Sequence, residues 1–408
     1  MQTNTGIKTE LKLPLILIHT PFGLRFFDKI AKTKVGKYYA DFNTYLMPLI
    51  TALAIFLIFT SIFVLFSNDS ARAGARDLGP QSNILIPGLN PILPWHYALV
   101  ALIITIVIHE AGHGIVARVY DTKVESTGLV LFLGIPIGAF VNIQQDELDK
   151  TTFKQKSAIL TAGPLNNMIL AGISLALLFL VISTLSPISN SQPTDVGLKI
   201  LGVNQNSLAE SIGLEKDSII RSINGQPMND VSKFRQILQD NLGSSIEIAW
   251  TSKDKQERIS TVKLPSISPK DNVVMGVSLT NLNPDPELLL DVYKKAFSAS
   301  PLAILMPPTL QQSLVPFSDL MAPYYTSSIF GSSYPIIANF LFWNWFINFN
   351  VGIFNALPIA MLDGGQWYGS LLGKKIKTKN SKITPSTILT IIMIGIVITV
   401  FVLPWIPW

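Results

Sequence analysis

The sequence predicts an α-helical polytopic membrane protein of about 5–6 spans, with a membrane-embedded β segment and one inserted α+β module. Three observations predict this class. Charged residues make up 14% of the 408 positions and hydrophobic residues 49%, whereas a soluble domain is about a quarter charged. Five uncharged stretches are long enough to cross a bilayer, and the mean hydropathy is +0.41. The charge is also uneven, with Asp195–Lys295 alone carrying 25 charged side chains. A disordered chain and an ordinary soluble enzyme are both excluded by this pattern.

The elements follow in order. Residues 1–41 form a basic arm whose cations cluster at Arg25–Lys37, as expected of a cytoplasmic, lipid-facing end. No small-residue cleavage site follows a short apolar region there, so no removable signal peptide is expected. A bilayer core about 30 Å thick needs roughly 20 helical residues. Spans are expected near Tyr45–Phe66, Pro94–Tyr120, Ala158–Leu185, Ile336–Leu357 and Thr384–Pro404. Ser126–Gln145 is apolar but holds Gly128, Gly134, Pro136 and Gly138 among β-branched and aromatic residues. It reads as a re-entrant hairpin or strand, which membrane depth tolerates only where protein or a wet cavity covers it. Ala296–Ser318 carries Pro301, Pro307, Pro308 and Pro316, so an interfacial or broken helix is expected there.

The domain plan is therefore an arm (1–41), a first membrane half (42–194), a module (195–282) and a second membrane half (283–408). Lys and Arg concentrate in the arm, in Lys123–Lys156 and in Lys374–Lys382. Five spans that start inside place all three basic segments in the cytoplasm, and the module outside. The clusters lack the folded, aromatic-interleaved setting of a nucleic-acid site, so no nucleic-acid partner is expected. Membrane lipid is the expected contact of the basic ends.

Within the module, short β-prone runs at Lys199–Val203, Ser218–Ile223, Ser245–Trp250 and Ile259–Leu264 surround one helical pattern, Val231–Leu242. Asn224–Gly225 is a hairpin-turn signal. The run Ser207–Leu214 followed by Ile219–Gly225 resembles the core signature of a PDZ domain. Such a domain offers a sheet edge to an extended peptide, and a purely steric spacer is the alternative. Lys216 stands where protease PDZ domains often have glycine, a departure in the peptide-binding loop.

The chemistry concentrates at His109–Glu110–Ala111–Gly112–His113. Ionisable groups at membrane depth are costly and mark function. On a helix, positions i and i+4 share a face, so His109 and His113 can bind one Zn²⁺, with Glu110 placed to take a proton from water. Cysteine is absent, so a third ligand must be His, Asp or Glu. His19 lies in the arm, and His96 is too far along the same helix. Asp363 is the strong candidate, the first charge after the uncharged stretch Met321–Leu362. Pro358 should end or kink the preceding helix, Gly364–Gly365 permit close backbone approach, and Asp363 is expected on irregular backbone. Asn344, Asn348 and Asn355 fall on one helix face, the first two read as interhelical hydrogen-bonding groups.

His109–His113 with Leu362–Asp363–Gly364 resembles the site-2 protease family of intramembrane zinc metalloproteases. Ala162–Gly163–Pro164–Leu165–Asn166–Asn167 and Asn355–Ala356–Leu357–Pro358 are similar to two further motifs of that family. Gly128–Val141 is similar to its membrane-embedded β segment, and an inserted PDZ domain is common in it. The resemblance covers about Trp95–Trp408, and the arm with the first span looks like the archaeal branch. It implies Zn²⁺ held by His109, His113 and Asp363, with Glu110 as general base and acid. It also implies Asn167 and Asn355 as holders of substrate backbone or the developing oxyanion. The expected activity is hydrolysis of peptide bonds in transmembrane segments, the substrates being membrane proteins. A catalytically silent, membrane-protein-binding homologue and a zinc transporter are the alternatives.

Overall fold

Apolar length and backbone punctuation set the elements of the computed structural model, which describes residues 7–132, 135–188, 197–204, 206–266, 274–282, 286–299, 307–310, 312–373 and 384–406. Its contacts divide into two units, one of residues 1–178 with 340–408 and one of 179–339.

The first unit opens with strands β1 (Lys8–Lys12) and β2 (Leu15–Thr20), then helices α1 (Leu24–Ala31) and α2 (Lys34–Asn43). Thr33 caps α2 by accepting from Gly36 N–H, the expected use of a threonine at that position. Helix α3 (Met47–Ser67) is the first of five helices, among the described residues, long and apolar enough to cross a membrane. A short helix, α4 (Asp69–Leu78), precedes the second such helix, α5 (Trp95–Val119). Strands β3 (Val124–Phe132) and β4 (Ile135–Ile143) follow, then α6 (Gln145–Lys150) and the third long helix, α7 (Phe153–Ser183).

The hairpin expected at Ser126–Gln145 is β3 paired antiparallel with β4. The basic arm, to which the sequence assigns no strands, supplies β1 and β2, giving one sheet of order β1-β2-β3-β4. The cause is the run Leu15–Ile18, whose backbone finds its partner in Leu129–Phe132. Strand β1 is exposed along its whole length.

The second unit carries β5 (Leu185–Pro187), β6 (Leu198–Val203), α8 (Leu208–Ser211), β7 (Ile219–Ile223), β8 (Gln226–Pro227), α9 (Val231–Asp240), β9 (Ser245–Thr251), β10 (Glu257–Lys263), β11 (Val277–Asn281), α10 (Pro286–Ala299) and β12 (Tyr325–Ser327). Its main sheet has the order β10-β9-β7-β6-β11, with β8 paired to β7. Alternate residues of the strands bury Leu198, Ile200, Ile220, Ile248 and Trp250 against Phe234 and Leu238 of α9. Asn224 and Gly225 take positive φ in the β7–β8 turn, as their sequence signal required. This unit is wider than the module expected at 195–282. Strand β12 pairs with β5, and Tyr325 Oη donates to the Pro286 carbonyl at 2.9 Å, which draws the flanking chain in. Of Ala296–Ser318, residues 300–306 and 311 lie outside the described residues, as does the basic cluster Lys374–Lys382.

The chain then forms α11 (Tyr334–Asn355), α12 (Asp363–Gly373) and α13 (Pro385–Val402). Pro358 falls in the irregular link between α11 and α12, as expected. Asp363 does not: it is the first residue of a helix rather than part of that link. Gly364 and Gly365 make this possible. A Cβ at either would meet backbone of Ala356–Ile359 closer than real contacts allow, so α12 starts hard against the link.

Candidate metal centre

Helix α5 presents the motif histidines to α7 because both helices are small where they meet. A Cβ on Gly112 would strike the Ala162 carbonyl and the Asn166 amide, and one on Gly163 would strike Nε2 of both His109 and His113. Asn166 fastens the crossing, its Nδ2 donating to the Ile108 carbonyl at 2.8 Å. Tyr39 Oη on α2 donates to Asn166 Oδ1 at 2.5 Å, and burial pushes that phenol up to about 12.

The link before α12 is fixed from two sides. Thr51 Oγ1 of α3 lies 2.7 Å from the Ala356 carbonyl. Trp367 Nε1 of α12 donates to Ser157 Oγ at 2.5 Å, and that hydroxyl donates to the Thr44 carbonyl at 2.6 Å. With both ends held, Asp363 is delivered to the histidines.

Asp363 Oδ2 lies 3.1 Å from His109 Nε2 and 3.4 Å from His113 Nε2, and the two ring nitrogens are 3.2 Å apart. His113 Nδ1 sits 2.7 Å from the Ile159 carbonyl, which fixes its proton there and leaves the Nε2 lone pair facing the cluster. Among the described residues these three form the one group of His, Asp or Glu able to hold a metal ion. The spacing fits zinc. Bonds of about 2.0–2.2 Å to nitrogen and oxygen put tetrahedral neighbours about 3.3 Å apart. The bare Cα of Gly163 leaves the hollow that a methyl would fill.

Glu110 is half-buried, and its Oε2 accepts from Val141 N–H of β4 at 2.9 Å. Because β4 pairs with β3 on its other side, this amide points out of the sheet toward α5. Asn167 is fully buried, and its carboxamide lies 3.0 Å from His109 Nδ1. Asn355, half-buried, ends α11.

The remaining histidines stand apart, as expected. His19 Nδ1 is 3.0 Å from Ser126 Oγ, with its ring edge on Phe140, and His96 packs between Trp95 and Tyr97. Sequence reasoning missed Tyr39, Asn166 and the Val141 amide. Only Asn166 had a signal, its place beside Asn167 in an apolar helix.

The family model for peptidase family M50 matches residues 97–401. An uncharacterized protein of Methanocaldococcus jannaschii is 27% identical over 351 residues, 85% of this chain and 75% of that protein. A Clostridium acetobutylicum protein named "Putative zinc metalloprotease" is 27% identical, covering 66% of this chain and 83% of its own. The solved PDZ domain of an SdrC-like protein from Listeria monocytogenes aligns with 22% of this chain and 93% of its own, at 18% identity and a TM-score of 0.20.

Proposed function

The chain belongs to peptidase family M50, and from that premise we propose that it is a zinc metalloprotease hydrolysing peptide bonds in transmembrane segments of membrane proteins. One observation carries the reading: His109, His113 and Asp363 converge on one point, beside Glu110, with both histidines on a helix long and apolar enough to cross a bilayer. Zinc held by those three residues would supply a Lewis acid that activates water and polarises the scissile carbonyl.

The protein's own groups do the rest. Glu110 takes the proton of the attacking water through the oxygen not bonded to Val141, then returns it to the leaving amine. Asn355 is the proposed holder of the developing oxyanion, while Asn167 acts on His109. A helical substrate hides its carbonyls in i to i−4 bonds and must unwind to be cut. The free edge of β4 would accept the unwound strand by β-addition, which brings it alongside Glu110. The arm, Lys123–Lys156 and Lys374–Lys382 are assigned to the cytoplasmic side by their cations. The PDZ-like module then lies outside, where it would admit substrates whose outer domain has been trimmed, as in regulated intramembrane proteolysis.

The test is Glu110→Gln in proteoliposomes with a model transmembrane substrate. Cleavage should fall by at least about 10³-fold while zinc stays bound in near-stoichiometric amount. Undiminished cleavage would sink the mechanism.

A further inference from the structure

Two buried oxygens lack partners where α7 and α11 touch: Oδ1 of Asn167 and Oδ1 of Asn348, both on side chains with no exposed surface. Around them the polar groups are ordered. Asn348 Nδ2 donates to the Asn344 carbonyl at 2.8 Å and faces its Oδ1 at 3.2 Å. Asn344 Nδ2 donates to Ser174 Oγ at 2.7 Å, and that hydroxyl donates to the Leu170 carbonyl at 2.8 Å. The helices are close here. A Cβ on Gly352, one turn beyond Asn348, would lie 3.3 Å from Asn167 Cβ and 3.1 Å from the Pro164 carbonyl.

Turning one carboxamide would give both orphaned oxygens a partner. His109 turns Nε2 to His113 and Asp363, so its ring proton belongs on Nδ1. A donor there needs an acceptor, yet the Asn167 atom placed opposite it is a nitrogen. The two ends of a carboxamide are distinguished only by their partners. Turned by half a revolution, Asn167 offers Oδ1 to the His109 Nδ1–H and frees its Nδ2 as a donor toward α11.

We propose that Asn167 is a positioning residue for the zinc ligand His109, its Oδ1 accepting the Nδ1–H and its Nδ2 satisfying the Asn348 oxygen. The chain then runs one way, from His109 through Asn167, Asn348 and Asn344 to Ser174 and the Leu170 carbonyl. Each member is a donor to the next, so the chain polarises along its length. It fixes the tautomer of His109 and raises its basicity toward the metal. In an apolar bundle every one of these groups would otherwise be costly to bury.

The proposal rests on the zinc reading above, and the test separates the two. Zinc affinity of the full chain in detergent is measured by chelator competition, with the visible spectrum of the cobalt-substituted protein as a second readout. Asn167→Ala should weaken zinc by about 10–100-fold and shift the cobalt bands. Asn167→Asp, which keeps an acceptor at Nδ1–H, should stay within about threefold of the parent. Asn348→Leu should weaken zinc less than Asn167→Ala does, and the double variant should be no weaker than Asn167→Ala alone, because the two act in series. Parental affinity in Asn167→Ala, an aspartate as poor as alanine, or additive losses would each overturn the chain. Unchanged zinc binding in His113→Ala would instead strike the metal assignment itself.

Discussion

Helices α13 and α7 are both long and apolar, yet they do different work. Of the apolar 18-residue stretch in each helix, 11% is buried in α13 and 17% in α3, against 39% in α5 and α7 and 56% in α11. The exposed faces of the outer pair are Phe56, Phe59 and Phe63 on α3, and Ile388, Ile391 and Ile398 on α13. The inner three carry the histidines, the asparagines, and the glycines of close contact. Apolar length says that a helix crosses; its interruptions say which neighbours it meets. Between lipid and helix there is no hydrophobic gradient, so packing and hydrogen bonds hold the inner three.

The sharpest test of that contrast uses two glycines of one helix. Gly163→Ala puts a methyl among the Nε2 atoms of His109 and His113, whereas a methyl at Gly172 meets nothing within 4 Å. Gly163→Ala should lower zinc content and cleavage by about 10²-fold or more, and Gly172→Ala should leave both at the parental level. Equal behaviour of the two would break the comparison.

A second pair compares faces. Trp343 of α11 is fully buried, its ring packed edge-on to Phe342 and Phe346. Trp343→Ala should cost about 3 kcal/mol or more in detergent unfolding. Ile391→Ala, on the exposed side of α13, should stay within about 0.5 kcal/mol.

The smallest effect is a pH slope. Burial raises the Tyr39 phenol to about 12, so its folded-state ionisation is disfavoured. That contribution is complete below the unfolded phenol value near 10 and fades as pH climbs toward 12. The unfolding midpoint should decline between about pH 10 and 12, and Tyr39→Phe should flatten the decline. A slope unchanged in Tyr39→Phe would place the titration elsewhere.

What was legible in the sequence follows the same division. The cluster of His109, His113 and Asp363 stood out because ionisable groups at membrane depth are costly and rare. The hairpin was legible because Gly128, Gly138 and their β-branched neighbours cannot make a straight span. Strands β1 and β2 were not, since Leu15–Thr20 is short and its partners lie more than 100 positions away, His19 meeting Ser126 at a separation of 107. Long-range pairing leaves no local period to read. Asp363 was expected on irregular backbone because two glycines follow it. Their lack of side chains in fact lets α12 begin where any Cβ would collide. Nothing in the adjacent pair Asn166–Asn167 says which one faces Ile108 and which faces His109, because that depends on the rotation of α7 against α5.

The four-stranded sheet has one further property. Each sheet has two unpaired rims, and either can recruit a foreign strand. Here the outer rim is β1, exposed and studded with Lys8, Glu10 and Lys12, the kind of charged border that discourages pairing. By covering β3 the arm removes the rim on the far side of the hairpin and moves it out to this guarded strand. What is left is β4, whose Val141 amide is already bonded to Glu110. The sheet therefore leaves to the proposed strand addition a single unguarded rim, the one that also supplies the backbone partner of Glu110.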